Sequence, residues 1–416
     1  MGAWPGEELE ERASDVAVAA EALLRHQLSW RHRRVETLTV LNHEQVRRHV
    51  SVDFTVPADY REGLRISDAG EHVVPLALLA KRPLVRFDLR HEEGHSVPLL
   101  TAQQNAMIDR ELLDLLLDAD LAHQDADDDT RAVVNRAAAP LIQAVLDGTV
   151  APGAVERLER EFQLGPLSDF GEMVGILSRR FYLWAVLRDI SRRRVLKFAY
   201  DEPFELRPRF SHFYDAPGCT EAGSYHVEVV VPSDLKARST ILDDGDGLVL
   251  ATGRRDTDRP ALYFAADPQN LPRDPGVSAS YGAERGRFLV PAAVVATVIT
   301  LLVALPWLFA DLEALAGSAG PAIGLVLSTS AVISALVLRT DEHPLVRLML
   351  VRFRMCLVAS TLAALFAAAV LGFRAEAWVL DAAWGAGAAV SAVAAGILIV
   401  VAVRSPSSSS KAAEEP

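Results

Sequence analysis

The chain is 416 residues long, half of them apolar, with a formal net charge of −13 and two cysteines. An acidic chain of this size is a poor general binder of nucleic acid, so nucleic acid is not an expected partner. Cys219 and Cys356 stand in regions of different character, which excludes a disulfide framework and suits a reducing compartment. The length is enough for two or three domains, and the composition divides it. The apolar residues concentrate after about residue 286, while the net charge lies almost wholly before it. Lysine is scarce and arginine and alanine are abundant, a bias that points to a GC-rich bacterial genome.

The opening segment, MGAWPGEELEERASDVAVAAEALLRHQ, starts acidic and has no continuous apolar core, so it does not read as a signal peptide. Leu9, Val16, Ala20, Leu23, Leu24 and Leu28 instead lie along one side of an amphipathic helix. Residues 31 to 100 read as strands. In HVSVDFTVP (49–57), Val50, Val52 and Phe54 alternate with Ser51, Asp53 and Thr55, and VRFDLR (85–90) alternates in the same way.

RHEEGHS (90–96) contains His91, Glu92 and His95 in the H-E-x-x-H order of zinc proteases. That chemistry needs a helix, which sets both imidazoles on one face with the glutamate beside the metal-bound water. Here a strand-like run precedes the motif, Gly94 lies inside it and Pro98 follows. The expectation is therefore an exposed hairpin turn with Gly94 at positive φ, and zinc catalysis is the minor alternative.

Residues 101 to about 180 change to helical periodicity. Thr101 and Gln104 have the spacing of a capping box. Ile108, Leu112, Leu115, Leu116 and Ala119 follow, and the polar turn DADDD (125–129) leads to a second helix ending near Gly148. Pro152 is expected as the first residue of a third helix, Gly165 as its end, and Ser168 as the start of a fourth.

Strands then resume. FYLWAVL (181–187) and VLKFAYDEP (195–203) flank Arg192, Arg193 and Arg194, so they are expected to form a hairpin whose arginines face solvent, anionic lipid or phosphate. YHVEVVVPSD (225–234), GLVLATG (247–253) and ALYFAAD (261–267) follow. VDFTVPAD (52–59) and VEVVVPSD (227–234) echo one another on either side of the helical block. That echo predicts one β-sandwich-like domain split by a helical insertion, with two separate domains as the alternative. LDDGDGL (242–248) resembles half a calcium loop but lacks the far glutamate, so it reads as a turn. His123 with Asp118 and Asp120 reads as an acidic helix end.

Four apolar runs remain, at about 288–310, 319–338, 355–372 and 383–403, each long enough to cross a hydrocarbon core. Arg347, Arg352 and Arg354 interrupt the stretch before the third, which is expected to lie in the interface with its arginines at anionic headgroups. Basic residues flank the spans on alternate sides, Arg285 and Arg287 at one end and Arg404 and Lys411 at the other. This places both termini in the cytoplasm. No span carries a central charge, which weakens a transporter reading. Rows of small residues, Gly320, Gly324 and Ser328 and then Gly387, Ser391 and Ala395, serve helix packing within a bundle or between protomers of a homo-oligomer.

The expectation is an α+β cytoplasmic region over 1–286, β-sandwich-like and split by a helical insertion at about 101–180. A four-helix transmembrane bundle over 287–404 and a flexible cytoplasmic tail at 405–416 follow. There is no Walker loop, Rossmann glycine pattern, nucleophile elbow or C-x-x-C, and His226 and Cys219 are too isolated to pair as base and nucleophile. No motif identifies a known family. No catalytic, cofactor-binding or metal-ligating residue is assigned. The expected role is a multi-pass protein of the bacterial inner membrane presenting a non-enzymatic binding or sensing module to a protein or small-molecule partner. An oligomeric pore gated by that module, and a zinc protease, are the alternatives.

Overall fold

The computed structural model describes residues 6–203, 207, 210–267, 270–272, 275–309, 343–373 and 376–405. The amphipathic N-terminus is helix α1 (Gly6–Arg25), followed by one turn, α2 (Gln27–Trp30). Strands β1 (Arg31–Val40) and β2 (Gln45–Phe54) form an antiparallel hairpin, and α3 (Ala58–Arg61), β3 (His72–Ala80) and β4 (Val85–His91) follow.

The helical block is α4 (Ala102–His123), α5 (Asp128–Leu146), α6 (Ala154–Glu161) and α7 (Ser168–Arg179). Thr101 and Gln104 close α4 with the expected capping box. Pro152, in contrast, is not the first residue of α6. Gly153 takes φ 67° and the helix starts one residue later, because the left-handed Gly153 intervenes before helical geometry begins.

After the block come β5 (Arg180–Leu187), β6 (Arg194–Pro203), β7 (Ser211–Asp215), β8 (Ser224–Val230), β9 (Leu235–Asp243), β10 (Val249–Thr252), β11 (Ala261–Ala265) and β12 (Gly276–Ala283). These strands make a six-stranded sheet ordered β11-β8-β1-β2-β6-β4, a four-stranded sheet ordered β10-β9-β12-β7 and a ribbon of β3 with β5. The two echoing strands, β2 and β8, flank β1 on opposite sides, β8 running parallel to it. Strands from before and after the helical block thus share one sheet.

β5 and β6 are not a hairpin. β5 pairs with β3, whereas β6 pairs with β2 and β4, so residues 188–193 carry the chain from the ribbon to the sheet. The reason lies in β5 itself, an unbroken apolar run buried on both faces. Tyr182, Trp184 and Val186 pack with Ile108, Leu112 and Phe170 of the helical block. Leu183, Ala185 and Leu187 alternate with them and pack with Val50, Val52 and Phe54 of the six-stranded sheet. The ribbon is therefore the middle layer. Helix α1 also joins the helical layer, with Leu9, Val16 and Ala20 buried beside the same residues of α4.

Three helices are long and apolar enough to cross a membrane: α8 (Val290–Phe309), α9 (Pro344–Gly372) and α10 (Ala377–Arg404). The second expected span, 319–338, and the tail after Ser405 lie outside the described residues. The stretch 345–354 is continuous with the third expected span. It is the first part of α9, a continuous helix of 29 residues, because nothing in it breaks helical hydrogen bonding and Pro344 sits at the first turn, where proline is tolerated. Trp307 donates its indole N–H to Asp381 Oδ1 at 2.7 Å, tying the end of α8 to the start of α10. The row Gly387, Ser391 and Ala395 is buried within this chain, and a side chain at Gly387 would meet Val303 of α8 and Ala363 and Ala367 of α9.

At the other end, a π-helical turn (Arg285–Leu289) runs from β12 into α8, and His343 Nε2 lies 3.1 Å from the Val40 carbonyl at the tip of β1. Residues 1–100 expressed without 181–286 should fail to fold. β2 would lose β6 and β1 would lose β8, exposing two strand edges and the apolar face of β2. A soluble 1–100 fragment with a cooperative melting transition would contradict this.

Candidate functional site

Three charged residues of β1 are buried: Arg31, Arg34 and Glu36. The strand buries Arg34, Glu36, Leu38 and Val40 and turns Val35 and Thr37 partly outward. On β2 the inward face is Val46, Arg48, Val50, Val52 and Phe54. Arg34 donates from Nε to Glu36 Oε1 at 2.7 Å and from Nη1 to Glu221. Arg31 reaches the same glutamate at 3.8 Å, donates to the Pro75 carbonyl at 2.6 Å and lies over the Trp30 ring. Arg48 approaches Glu202 at 3.3 Å and Glu36 at 3.6 Å. Burial opposes the charge on Arg34, but Glu221 and Glu36 outweigh it and hold its pKa above the ordinary value. Burial likewise opposes ionisation of Glu36, and Arg34 with Arg48 reverses that, leaving its pKa low. Gly218 makes room for this network, since a Cβ there would stand 2.2 Å from Arg34 Nε.

Glu221 carries the network to the surface of a cleft of about 830 Å³. Helices α1 and α7 form one wall and the ribbon and residues 217–221 the other. Glu221 is buried, and its Oε1 has no hydrogen-bond partner. An orphaned carboxylate oxygen costs free energy unless a donor meets it. Across the cleft, Arg25 bridges Glu21 and Asp169, the latter at 2.7 Å. Leu24, Leu78 and Ile176 supply apolar surface, and Glu172, Arg179 and Arg180 supply charge at the rim. The cleft is thus lined by the buried Glu221, by apolar side chains and by charges of both signs.

Cys219 lies two residues from Glu221 but is no nucleophile at neutral pH. Burial, with Glu36 nearby, pushes its thiol up to about 12. His226 packs against Tyr263 with tilted rings, their centroids 4.6 Å apart.

The turn at RHEEGHS is present. His91 N–H donates to the His95 carbonyl at 2.8 Å, and Gly94 takes φ 87°. His91 is not freely exposed as expected, however. It is half-buried against Arg194, whose Nη1 lies 2.9 Å from His91 Nε2. The Glu93 N–H also approaches His91 Nδ1 at 3.4 Å, so both ring nitrogens face donors. Glu92 faces the same arginine at 3.6 Å. His91, Glu92 and Glu93 bring ligand atoms within 4.8 Å of one another, and His95 is not among them.

The other singled-out residues also have local partners. Asp243 and Asp244 accept N–H groups of their own loop at 242–248, between β9 and β10. Asp120 accepts from the Phe170 N–H at 3.0 Å, and Asp118 from Asn135 at 2.7 Å. Arg193 pairs with Asp53, Arg194 with Asp189 and Glu92, and Arg192 with Asp189, so the arginine triplet faces protein carboxylates.

No protein-family model matches the chain, and no curated protein matches it. What the described residues define is a chain with three helices able to cross a membrane, preceded by a sheet-rich region that holds a charged cleft.

The core of the helical block contains a further titratable group, Asp109. Burial pushes its carboxyl up to about 7, against the opposing pull of Lys81 and Trp184. A carboxyl whose folded pKa exceeds its unfolded value binds more protons when folded. Stability from this group is therefore full below about pH 4 and falls as pH rises through about 7. Asp109→Asn should raise the melting temperature of the purified chain at pH 8, by up to about 4 kcal/mol in free energy, and should give no gain at pH 4. Melting curves followed by tryptophan fluorescence across that range check it. An equal effect at both ends would remove the titration from the account.

Proposed function

We propose that the chain is a multi-pass protein of the bacterial inner membrane whose N-terminal region is a non-enzymatic cytoplasmic module that binds a small polar ligand in the cleft. One observation carries the reading: the buried Glu221, tied to Arg34 and Arg31 through one oxygen and lacking a partner on the other, at the wall of an 830 Å³ cleft. Oε1 is itself closed to solvent, so a ligand donor in the cleft would meet it once the Glu221 side chain turns outward, and would then complete that carboxylate. The basic residues that flank the spans favour the cytoplasmic side for both termini. The small-residue row of α10 packs inside the chain's own bundle, so it lends no support to an oligomeric pore.

Gly175 provides a specific test. It lines the cleft, and a Cβ built there meets nothing within 4 Å. Gly175→Trp should fill the cleft and leave the fold intact. Small molecules released from the purified wild-type chain and from this variant are compared by mass spectrometry. The expected result is a compound held by the wild type and missing from the variant, with equal melting temperatures. No difference in retained compounds would count against the cleft.

Orientation is tested separately. An enzyme reporter active only outside the membrane should be silent when fused after Pro416 and active when inserted at Ser318. The reverse pattern would remove the cytoplasmic assignment.

A further inference from the structure

Helix α9 is longer than a membrane crossing needs. Its 29 residues extend about 44 Å, against a hydrocarbon core of about 30 Å. The apolar run from 355 to 372 fills most of that core, which leaves the first ten or so residues at headgroup depth. Arg347, Arg352 and Arg354 all fall there. Arg404, at the end of α10, stands at the same end of the bundle, because α8 and α9 start beside the sheets and α10 runs back toward them.

These arginines are not equivalent. Arg354 lies over the Phe288 ring at 5.7 Å and is half-buried. Arg352 is exposed and sits on the stripe that faces away from the protein, between Leu348, Val351 and Met355. The same stripe continues through Leu362 and Phe366, which are 60% and 62% exposed. Arg347 and Arg404 are also exposed. Among the described residues, none of these three has a carboxylate within salt-bridge distance. Nearby Glu284 is buried and faces Lys236, while Glu376 and Asp381 lie at the far end of the bundle. Asp341 and Glu342 lie outside the described residues. Phosphate offers a guanidinium two oxygens in the geometry its planar donors match.

We infer that Arg347, Arg352 and Arg404 form a binding surface for the headgroups of anionic phospholipid, at the end of the membrane helices nearest the sheets. The inference rests on the membrane-spanning reading and not on the cleft. Three positive charges without a carboxylate partner among the described residues favour a lipid of net negative charge over a zwitterionic one, by up to about fivefold for each arginine near the surface.

The test uses the full chain reconstituted in phosphatidylcholine vesicles with spin-labelled phosphatidylglycerol or spin-labelled phosphatidylcholine as the probe. The motionally restricted fraction in the electron paramagnetic resonance spectrum gives the relative association of the two. The expected result is a preference for phosphatidylglycerol of about three- to tenfold at low salt that shrinks in 0.5 M salt. The triple variant Arg347→Gln, Arg352→Gln, Arg404→Gln should bring the ratio close to one, and the corresponding triple lysine variant should keep most of it. Equal association of both lipids with the wild type would overturn the inference, as would a preference unchanged in the glutamine variant. Should the glutamine variant fail to reconstitute, the salt series on the wild type decides, and a preference insensitive to salt counts against the arginines.

Discussion

The arrangement of the sheet-rich region turns on one buried charge, the guanidinium of Arg34. It joins Glu36 on its own strand to Glu221 in the turn before β8, and so fixes β1 against the neighbour it pairs with in parallel. Buried ion pairs are weak sources of stability, because desolvation of each ion is costly. Their effect on register is different. A slip of one residue along β1 would turn Arg34 and Glu36 to the outside, leaving Glu221 buried without Arg34 and Arg48 with Glu202 as its remaining carboxylate. Val35 would gain burial in exchange, and one valine is worth about 1.5–3 kcal/mol, comparable to or less than the cost of a single orphaned buried ion. The same slip would expose Leu38 and Val40, so the charges and the apolar residues of β1 specify one register together.

This also explains what could be read in advance and what could not. The capping box of α4, the start of α7, the turn at His91 to His95 and the apolar run of α8 are local features, written in adjacent residues, and each was legible. The inward phase of β1 was not, because a charged residue on a strand ordinarily marks the solvent face. The available signal was the alternation itself: Arg34, Glu36 and Arg48 sit in phase with Leu38, Val46 and Val50 and have opposite signs. The pairing of β5 with β3 was hidden for another reason. An apolar run buried on both faces carries no period-two mark, so its partner depends on layers contributed by distant segments. Nothing in the sequence near α1 reports that it docks on α4, roughly a hundred residues on. Of the cleft, only single residues were visible. Glu221 becomes notable once Arg34 and Gly218 are placed beside it.

The cleft and the membrane helices are joined by a continuous series of contacts. Glu221 holds Arg34, Arg34 lies on β1, and β1 ends at Val40, whose carbonyl meets His343 at the head of α9. A carbonyl only accepts, so His343 donates from Nε2, and its Nδ1 accepts the Leu345 N–H to cap the helix. The imidazole is thereby a neutral link between a strand end and a helix start. A path of contacts is not in itself a switch. It becomes one only if an element along it has two arrangements and ligand favours one of them. The rigid part of the path is β1, paired on both edges. The part with freedom is the Glu221 side chain, which has one oxygen engaged and one free. A ligand donor at Oε1 would compete with Arg34 for the carboxylate they share, and the Gly218 backbone is packed closely against Arg34. Any signal leaving the cleft by this route must therefore begin as a displacement of Arg34, and its size is bounded by how far that guanidinium can move without uncovering Glu36.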